Sequence, residues 1–470
     1  MIDYRPAATS AEASGAAMLM PDIGLSQVLP PDRPRDGRTS PLARRAAPRS
    51  DGEGPPTSGP LESPAGGVRP AGLPSPGGEE ADADAARRIL SVVRWPVGGI
   101  RTYLLYNYPR LLDRGYRFTF VGPADESFRA MAAELSDWPG SEFVEAPLVR
   151  GRCRLRRVVG DQIATGRYTL IHSQGFTAGA EAVLANWRRR LPHVMTSHDV
   201  LRPDQFAGAV GRLKRWTLPR LLGRVDVVIS VTRDAEVNLR GYFPSLGRGR
   251  ARLTVVEHGI DLEGLDAAPP EGAPGLRSSL ALPPEVRLVG FLGRFMEQKG
   301  FLPLLRALKI LEEDSSLPPW HLAAVGGGDY LGEYRREASR LGLADRISFL
   351  DPVTRSGPVL AQLDVLAMPS LWEAAGLLAM EALALGVPVV GSDCPGLSEV
   401  LRGSPSSTPK AGDVGLLARA LGEAIRSPWR RAAEAYASIA RARFDARRSA
   451  DELLRWIEFA APPEGPAQGA

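Results

Sequence analysis

Short apolar runs separated by longer amphipathic stretches recur along this chain, and that rhythm constrains its fold more than any other feature. In the first half the runs are Ile89–Val93, Arg117–Val121, 168–173, 193–198, 225–231 and 252–258. After a loop rich in Pro and Gly, Ala267–Gly275, they resume at 286–293, 321–327, 346–351, 364–370 and 387–392. Runs this short and this rich in Val, Ile and Leu read as strands buried on both faces. Such strands belong to parallel sheets with helical crossovers. Two alternations joined by a linker predict two doubly wound α/β domains facing a cleft, spanning 86–270 and 271–427. The last segment, 428–470, reads as helix as far as Phe459 and is expected to pack back across the pair.

Residues 1–85 lack this rhythm. They are dominated by Pro, Gly, Ala and Ser, as in GPPTSGPLESPAGGVRP, and predict a disordered tail. The chain has no apolar run long enough to span a membrane and no basic start followed by an apolar core, so neither an anchor nor a secretory signal is expected. Two distant cysteines, Cys153 and Cys394, form no framework and suit a reducing cytosol. The five histidines show no metal-ligand spacing, and no metal site is expected.

The segment LWEAAGLLAMEALALGVPVVGSDCPG (371–396) is nearly all apolar or small, yet it holds Glu373 and Glu381. A buried carboxylate is costly unless it is paired or hydrogen-bonded. The run before it reads as a strand, and Gly376–Leu385 as a helix ended by Gly386 and Pro388. Glu373 then lies in the turn before the helix and Glu381 in its second turn. The free N–H groups at Gly376 and Leu377 would sit at the carboxyl end of a parallel sheet, where anions bind. A carboxylate on either side of an anion site suits a ligand whose hydroxyls flank phosphates, namely a nucleotide-sugar. In VGFLGRFMEQKGFLPLLRAL (289–308) a strand ends at Gly293 and is followed by Arg294 and Lys299. Two cations there can neutralise a departing diphosphate.

Further motifs punctuate the other strand ends: Gly98 and Gly99, Thr196-Ser-His198-Asp199, His258-Gly-Ile-Asp261, Val325-Gly-Gly327-Gly-Asp329, Phe349-Leu350-Asp-Pro-Val353 and Cys394-Pro-Gly396 with Glu399. Together with Glu373-Ala-Ala-Gly376-Leu377, Glu381-Ala382 and Gly386-Val-Pro388, they resemble the site pattern of retaining family-4 glycosyltransferases, from about Ile89 to Val400. Ala375 stands where that family usually has an aromatic residue, and His258 where it has Asn.

The resemblance implies a GT-B fold and assigns roles residue by residue. Glu373 would hold sugar hydroxyls, Glu381 the ribose, and Arg294 and Lys299 the diphosphate. Gly293, Gly327 and the backbone at Leu350 would border the nucleotide and its base. The amides of Gly376, Leu377 and Leu378 would meet the phosphates, as would Gly98 and Gly99 from the first domain. His198 would lie at the reaction centre, and Glu399 and His258 would be structural. No Asp-x-Asp pair stands at the expected strand end, in keeping with a metal-independent enzyme. The implied function is retaining transfer from a UDP- or GDP-linked sugar to a glycan or lipid-linked acceptor in envelope or polysaccharide biosynthesis, with no further cofactor. An epimerase or phosphorylase of the same fold, or a silent nucleotide-sugar-binding protein, is the alternative.

Charge is unevenly placed. The net charge is only +4, yet residues 150–220 hold 14 Lys/Arg against 4 Asp/Glu. GRLKRWTLPRLLGR (211–224) mixes cations with Leu and Trp, the composition of an interfacial helix interrupted at Pro219. An anionic membrane surface is the expected partner; nucleic acid is not, because aromatic residues do not punctuate the arginines. The expected location is cytoplasmic, with docking at the inner face of the cell membrane.

Overall fold

The computed structural model describes residues 87–149, 152–267, 275–427 and 429–462. The tail expected over 1–85 and the linker core near residue 270 lie outside these residues.

Strands β1 (Arg88–Val93), β2 (Arg117–Pro123), β3 (Glu142–Ala146), β6 (Leu170–Gln174), β7 (His193–Ser197), β8 (Val227–Ser230) and β9 (Arg252–Val255) form a seven-stranded sheet. Between β3 and β6 a small hairpin pairs β4 (Leu148–Val149) with β5 (Arg152–Cys153). The sheet order is β3-β2-β1-β6-β7-β8-β9, and every pairing is parallel. The second sheet holds β10 (Arg287–Leu292), β11 (Trp320–Val325), β12 (Ile347–Leu350), β13 (Val365–Met368), β14 (Val389–Gly391) and β15 (Ser406–Ser407). Its order is β12-β11-β10-β13-β14-β15, again all parallel.

In each sheet the chain steps outward on one side, then returns to continue on the other. The reversal falls between β1 and β6 in the first sheet and between β10 and β13 in the second. Loops leaving the two strands at such a point diverge and open a crevice at their carboxyl ends. Helices cover both sheets. The Phe301–Glu312 helix turns Phe301, Leu304, Leu305, Leu308 and Leu311 inward at helical spacing, each worth about 1.5–3 kcal/mol when fully buried.

Several features depart from the sequence reading, the β4–β5 hairpin among them. β3 was not expected: its pattern is Glu-Phe-Val-Glu-Ala on a sheet edge, only its last residue is buried, and it lacks the continuous apolar run of a central strand. β15 is a two-residue edge. The terminal helix is two helices, Arg430–Phe444 and Ala446–Ala460, broken at Asp445. There the backbone pairs with Ile260 of the first domain: Ile260 N–H donates to Phe444 O at 2.7 Å, and Ala446 N–H to Ile260 O at 3.0 Å. The first of these helices packs on the Leu377–Ala384 helix and the second on Gly99–Asp113. Ser449 Oγ donates to Asn107 Oδ1 at 2.8 Å, and Arg110 pairs with Asp451 at 2.6 Å. These two helices therefore touch both domains.

Candidate active site

The second-domain motifs converge on the crevice between β10 and β13. Gly300 makes this possible. It closes the loop after β10 in a left-handed conformation (φ 67°), and a Cβ there would fall 1.9 Å from Pro369 O. Only glycine allows that approach, and it brings Lys299 beside the loop after β13. The Lys299 ammonium then forms an ion pair with Glu373 Oε1, and Ser370 Oγ donates to the same oxygen at 3.0 Å. Glu373 is buried, and this pairing offsets the cost of burying its carboxylate. Oε2 carries no bond to a protein group among the described residues. It is the oxygen left to accept from a ligand hydroxyl. Lys299 and Glu373 thus act on one another as well as on any ligand, a link that their separate motifs did not disclose.

Glu381 is satisfied differently. Ser356 Oγ donates to its Oε2 at 2.7 Å, and burial pushes its carboxyl above the usual range. Between the two glutamates, Gly376 caps the Leu377–Ala384 helix in a left-handed conformation (φ 71°), with no side chain capping the first turn. The N–H groups of Leu377 and Leu378 have no acceptor among the described residues. Arg294, exposed past the end of β10, makes neither a hydrogen bond nor an ion pair among the described residues. A guanidinium, an ammonium and uncapped helix amides after neighbouring strand ends are groups that can bind an anion.

Gly293 and Gly327 lie on adjacent turns after β10 and β11, tied together by Phe295 N–H donating to Gly327 O at 2.9 Å. The Leu350 carbonyl accepts from Gly326 N–H at 3.0 Å, and the residues after it, Asp351 to Val353, are exposed.

Across the cleft, Gly98 and Gly99 open the Gly99–Asp113 helix. A Cβ at either would meet nothing within 4 Å, so both face open space. His198 Nε2 donates to Gln174 Oε1 at 2.8 Å, and Tyr103 meets the ring edge-on at 4.9 Å. Burial holds the imidazole pKa well below the usual value, with His258 and His172 adding to the effect. A neutral ring that donates through Nε2 presents Nδ1 as an acceptor. Asp199 follows His198 in the chain. It has no bonded partner among the described residues, and burial pushes its carboxyl up to about 6. Buried His258 is bonded through Nδ1 to the carbonyl of its neighbour Gly259 at 2.7 Å.

Two sequence profiles match: Glycosyltransferase Family 4 over residues 97–263 and Glycosyl transferases group 1 over 286–427. This chain belongs to glycosyltransferase family 4. Among relatives of this family-4 chain, D-inositol 3-phosphate glycosyltransferase 2 of Catenulispora acidiphila is 33% identical over 56% of this chain and 64% of that one. The corresponding protein of Stackebrandtia nassauensis is 28% identical over 76% and 86%. For that Catenulispora protein and the D-inositol 3-phosphate glycosyltransferases of Mycobacterium marinum and Mycolicibacterium smegmatis, the similarity spans 54% to 64% of their own length. The family's GT-B fold is shared with HepE of Anabaena, solved in complex with UDP and glucose. That structure is 23% identical, with a TM-score of 0.66 over 79% of this chain and 100% of that one. Among the described residues, no group of three or more His, Cys, Asp or Glu side chains could hold a metal ion, and no helix is long and apolar enough to cross a membrane.

Ser356, Ser370, Gln174 and Asp199 were missed as contributors to the site. The first three gain meaning from the partner that the fold sets beside each, and Asp199 from its burial.

Proposed function

We propose that the chain transfers a hexose from a UDP- or GDP-linked donor to an acceptor hydroxyl, with retention of anomeric configuration and without a metal. The observation that carries this reading is the crevice between β10 and β13. There Arg294 is unpaired, Lys299 is paired to Glu373, and the Leu377–Ala384 helix presents uncapped amides. The diphosphate would lie on the amides between Arg294 and Lys299. Glu381 would take the ribose diol, and Oε2 of Glu373 the sugar hydroxyls. As the bond from the anomeric carbon to phosphate oxygen breaks, the two cations and the helix amides stabilise the charge that develops on the leaving group. The acceptor oxygen bonds to the same face of that carbon, and its proton passes to the departing phosphate. No protein nucleophile is needed, and Nδ1 of neutral His198 orients a hydroxyl at the reaction centre.

The acceptor we favour is glycan or lipid-linked, in envelope or polysaccharide biosynthesis, reached from the cytoplasmic face of the membrane. The Gly208–Leu222 helix supports this. Val210, Leu213 and Trp216 are 55%, 50% and 58% exposed at spacings of three, beside exposed Arg212 and Arg215. Contrary to the expected interruption, the helix runs through Pro219 to Leu222. Trp187 is also 49% exposed, and Arg154, Arg156 and Arg157 are exposed at the start of the Leu155–Ala164 helix. Arg150 and the side chain of Arg152 lie outside the described residues. The test is a donor screen read by nucleoside diphosphate release, followed by NMR of the product anomer. Release from no UDP- or GDP-sugar in the presence of glycan or lipid-linked acceptors would refute the reading, and an inverted product would refute retention.

A further inference from the structure

The loop that carries Glu373 is gripped from the first domain on both sides. On one side the guanidinium of Arg202, which follows β7, stacks 3.7 Å from the centroid of the Trp372 ring and is held by Asp204 at 2.9 Å. On the other, buried Thr232 at the end of β8 donates its hydroxyl to Ala374 O at 2.8 Å. The same hydroxyl accepts from Ala235 N–H at 3.2 Å, so the helix it caps fixes its direction. Glu373 lies between these grips. Behind the loop, a Cβ on Gly396 would fall 2.4 Å from Ala374 O and 2.5 Å from Glu373 O, so the loop has no room to retreat. By contrast, Arg294, Lys299, Glu381 and the amides at Leu377 and Leu378 all belong to the second domain and, among the described residues, take no hydrogen bond from the first.

We propose that Arg202 and Thr232 are positioning residues that hold residues 372–374 from either side, so that Glu373 is aligned on the donor sugar only while the first domain is seated on its loop. This rests on the reading of Glu373 as the sugar-binding carboxylate. The nucleotide end of the donor then binds to the second domain alone, whereas the sugar end is engaged only when both domains meet. A group held from two sides loses little further freedom at the moment of reaction. The cation–π contact is specific to the planar guanidinium, because an ammonium cannot stack in its place.

Two measurements test the proposal in the full chain. Without ligand, hydrogen exchange at the amides of 372–376 should quicken about tenfold in Thr232→Val and Arg202→Lys, as expected for loss of one buried contact. Exchange at 294–299 should stay unchanged. With the donor found by the screen, kcat/KM should fall about tenfold in both variants, while affinity for the bare nucleoside diphosphate stays within about twofold. Thr232→Ser should restore transfer. Unchanged exchange, or a loss of nucleoside diphosphate affinity as large as the loss of transfer, overturns the proposal. Glu373→Gln separates the two claims. If it transfers at full rate, the reading of Glu373 is wrong. If it is inactive while both grip variants work normally, the grip alone is wrong.

Discussion

Asp234 and Glu399 cap each other's helices across the domain boundary. The buried Glu399 carboxylate accepts from Arg233 N–H at 3.1 Å and Asp234 N–H at 2.7 Å, at the start of the Arg233–Tyr242 helix. Asp234 Oδ2 accepts in return from Ser398 Oγ at 3.0 Å and Gly396 N–H at 3.3 Å, at the start of Leu397–Leu401. Each helix receives the negative charge that its N-terminus favours. Glu399→Ala should cost about 1–3 kcal/mol, because two amides lose their acceptor. Adding Asp234→Ala should cost less than it does alone, since the interface has already loosened. Thermal unfolding of the two single variants and the double variant checks this, and full additivity would show that the caps are independent.

The two glutamates of the donor site should divide the donor between them. Glu381→Ala is expected to weaken nucleoside diphosphate and nucleotide-sugar alike, by about tenfold. Glu373→Gln should weaken only the sugar-bearing ligand. Calorimetry with both ligands decides the matter, and equal losses in both variants would refute the division.

Arg294 is exposed and makes no hydrogen bond or ion pair among the described residues, so its removal should leave folding intact. Arg294→Ala should lower turnover by roughly ten- to a hundredfold, more than it weakens donor binding, because the guanidinium acts on charge that develops as the bond breaks. Steady-state kinetics at wild-type kcat would remove it from the diphosphate seat.

Asp199 should tie stability to pH. Burial raises its carboxyl from 3.8 to about 6. A carboxyl raised in the folded state contributes stability below its unfolded value and loses that contribution as pH rises through its folded value. Asp199→Asn removes the cost of the ionised form. The variant should therefore be more stable than the parent near about pH 7.5, by about 1–3 kcal/mol. That margin should shrink as the pH falls from about 6 toward 3.8. Melting curves across this window with a constant difference would show that Asp199 titrates normally.

The basic layer should bind anionic lipid. Each Lys or Arg near such a surface contributes about 1 kcal/mol, so several together give reversible docking. Co-sedimentation with phosphatidylglycerol vesicles is expected at low salt, with release at high salt. Binding that survives Trp216→Ala together with Arg212→Gln and Arg215→Gln would exclude the Gly208–Leu222 helix as the docking element.

Local pattern made much of this protein legible. Strand runs, helix stops at Gly386 and Pro388, and the cations after Gly293 are all written within a few residues of one another, because backbone geometry and burial act at short range. Eleven expected strands appear where the apolar runs lie, while the half-exposed edge β3 carried no such run. The contacts that arrange the site had no local signature. Lys299 meets Glu373 across 74 residues and Thr232 meets Ala374 across 142. The break at Asp445 exists because Ile260 needs its backbone there. Such pairings depend on which loops the two sheets bring to their carboxyl ends. A hydroxyl or a guanidinium in sequence carries no mark of the partner that packing will set against it, so only the tertiary structure decided them.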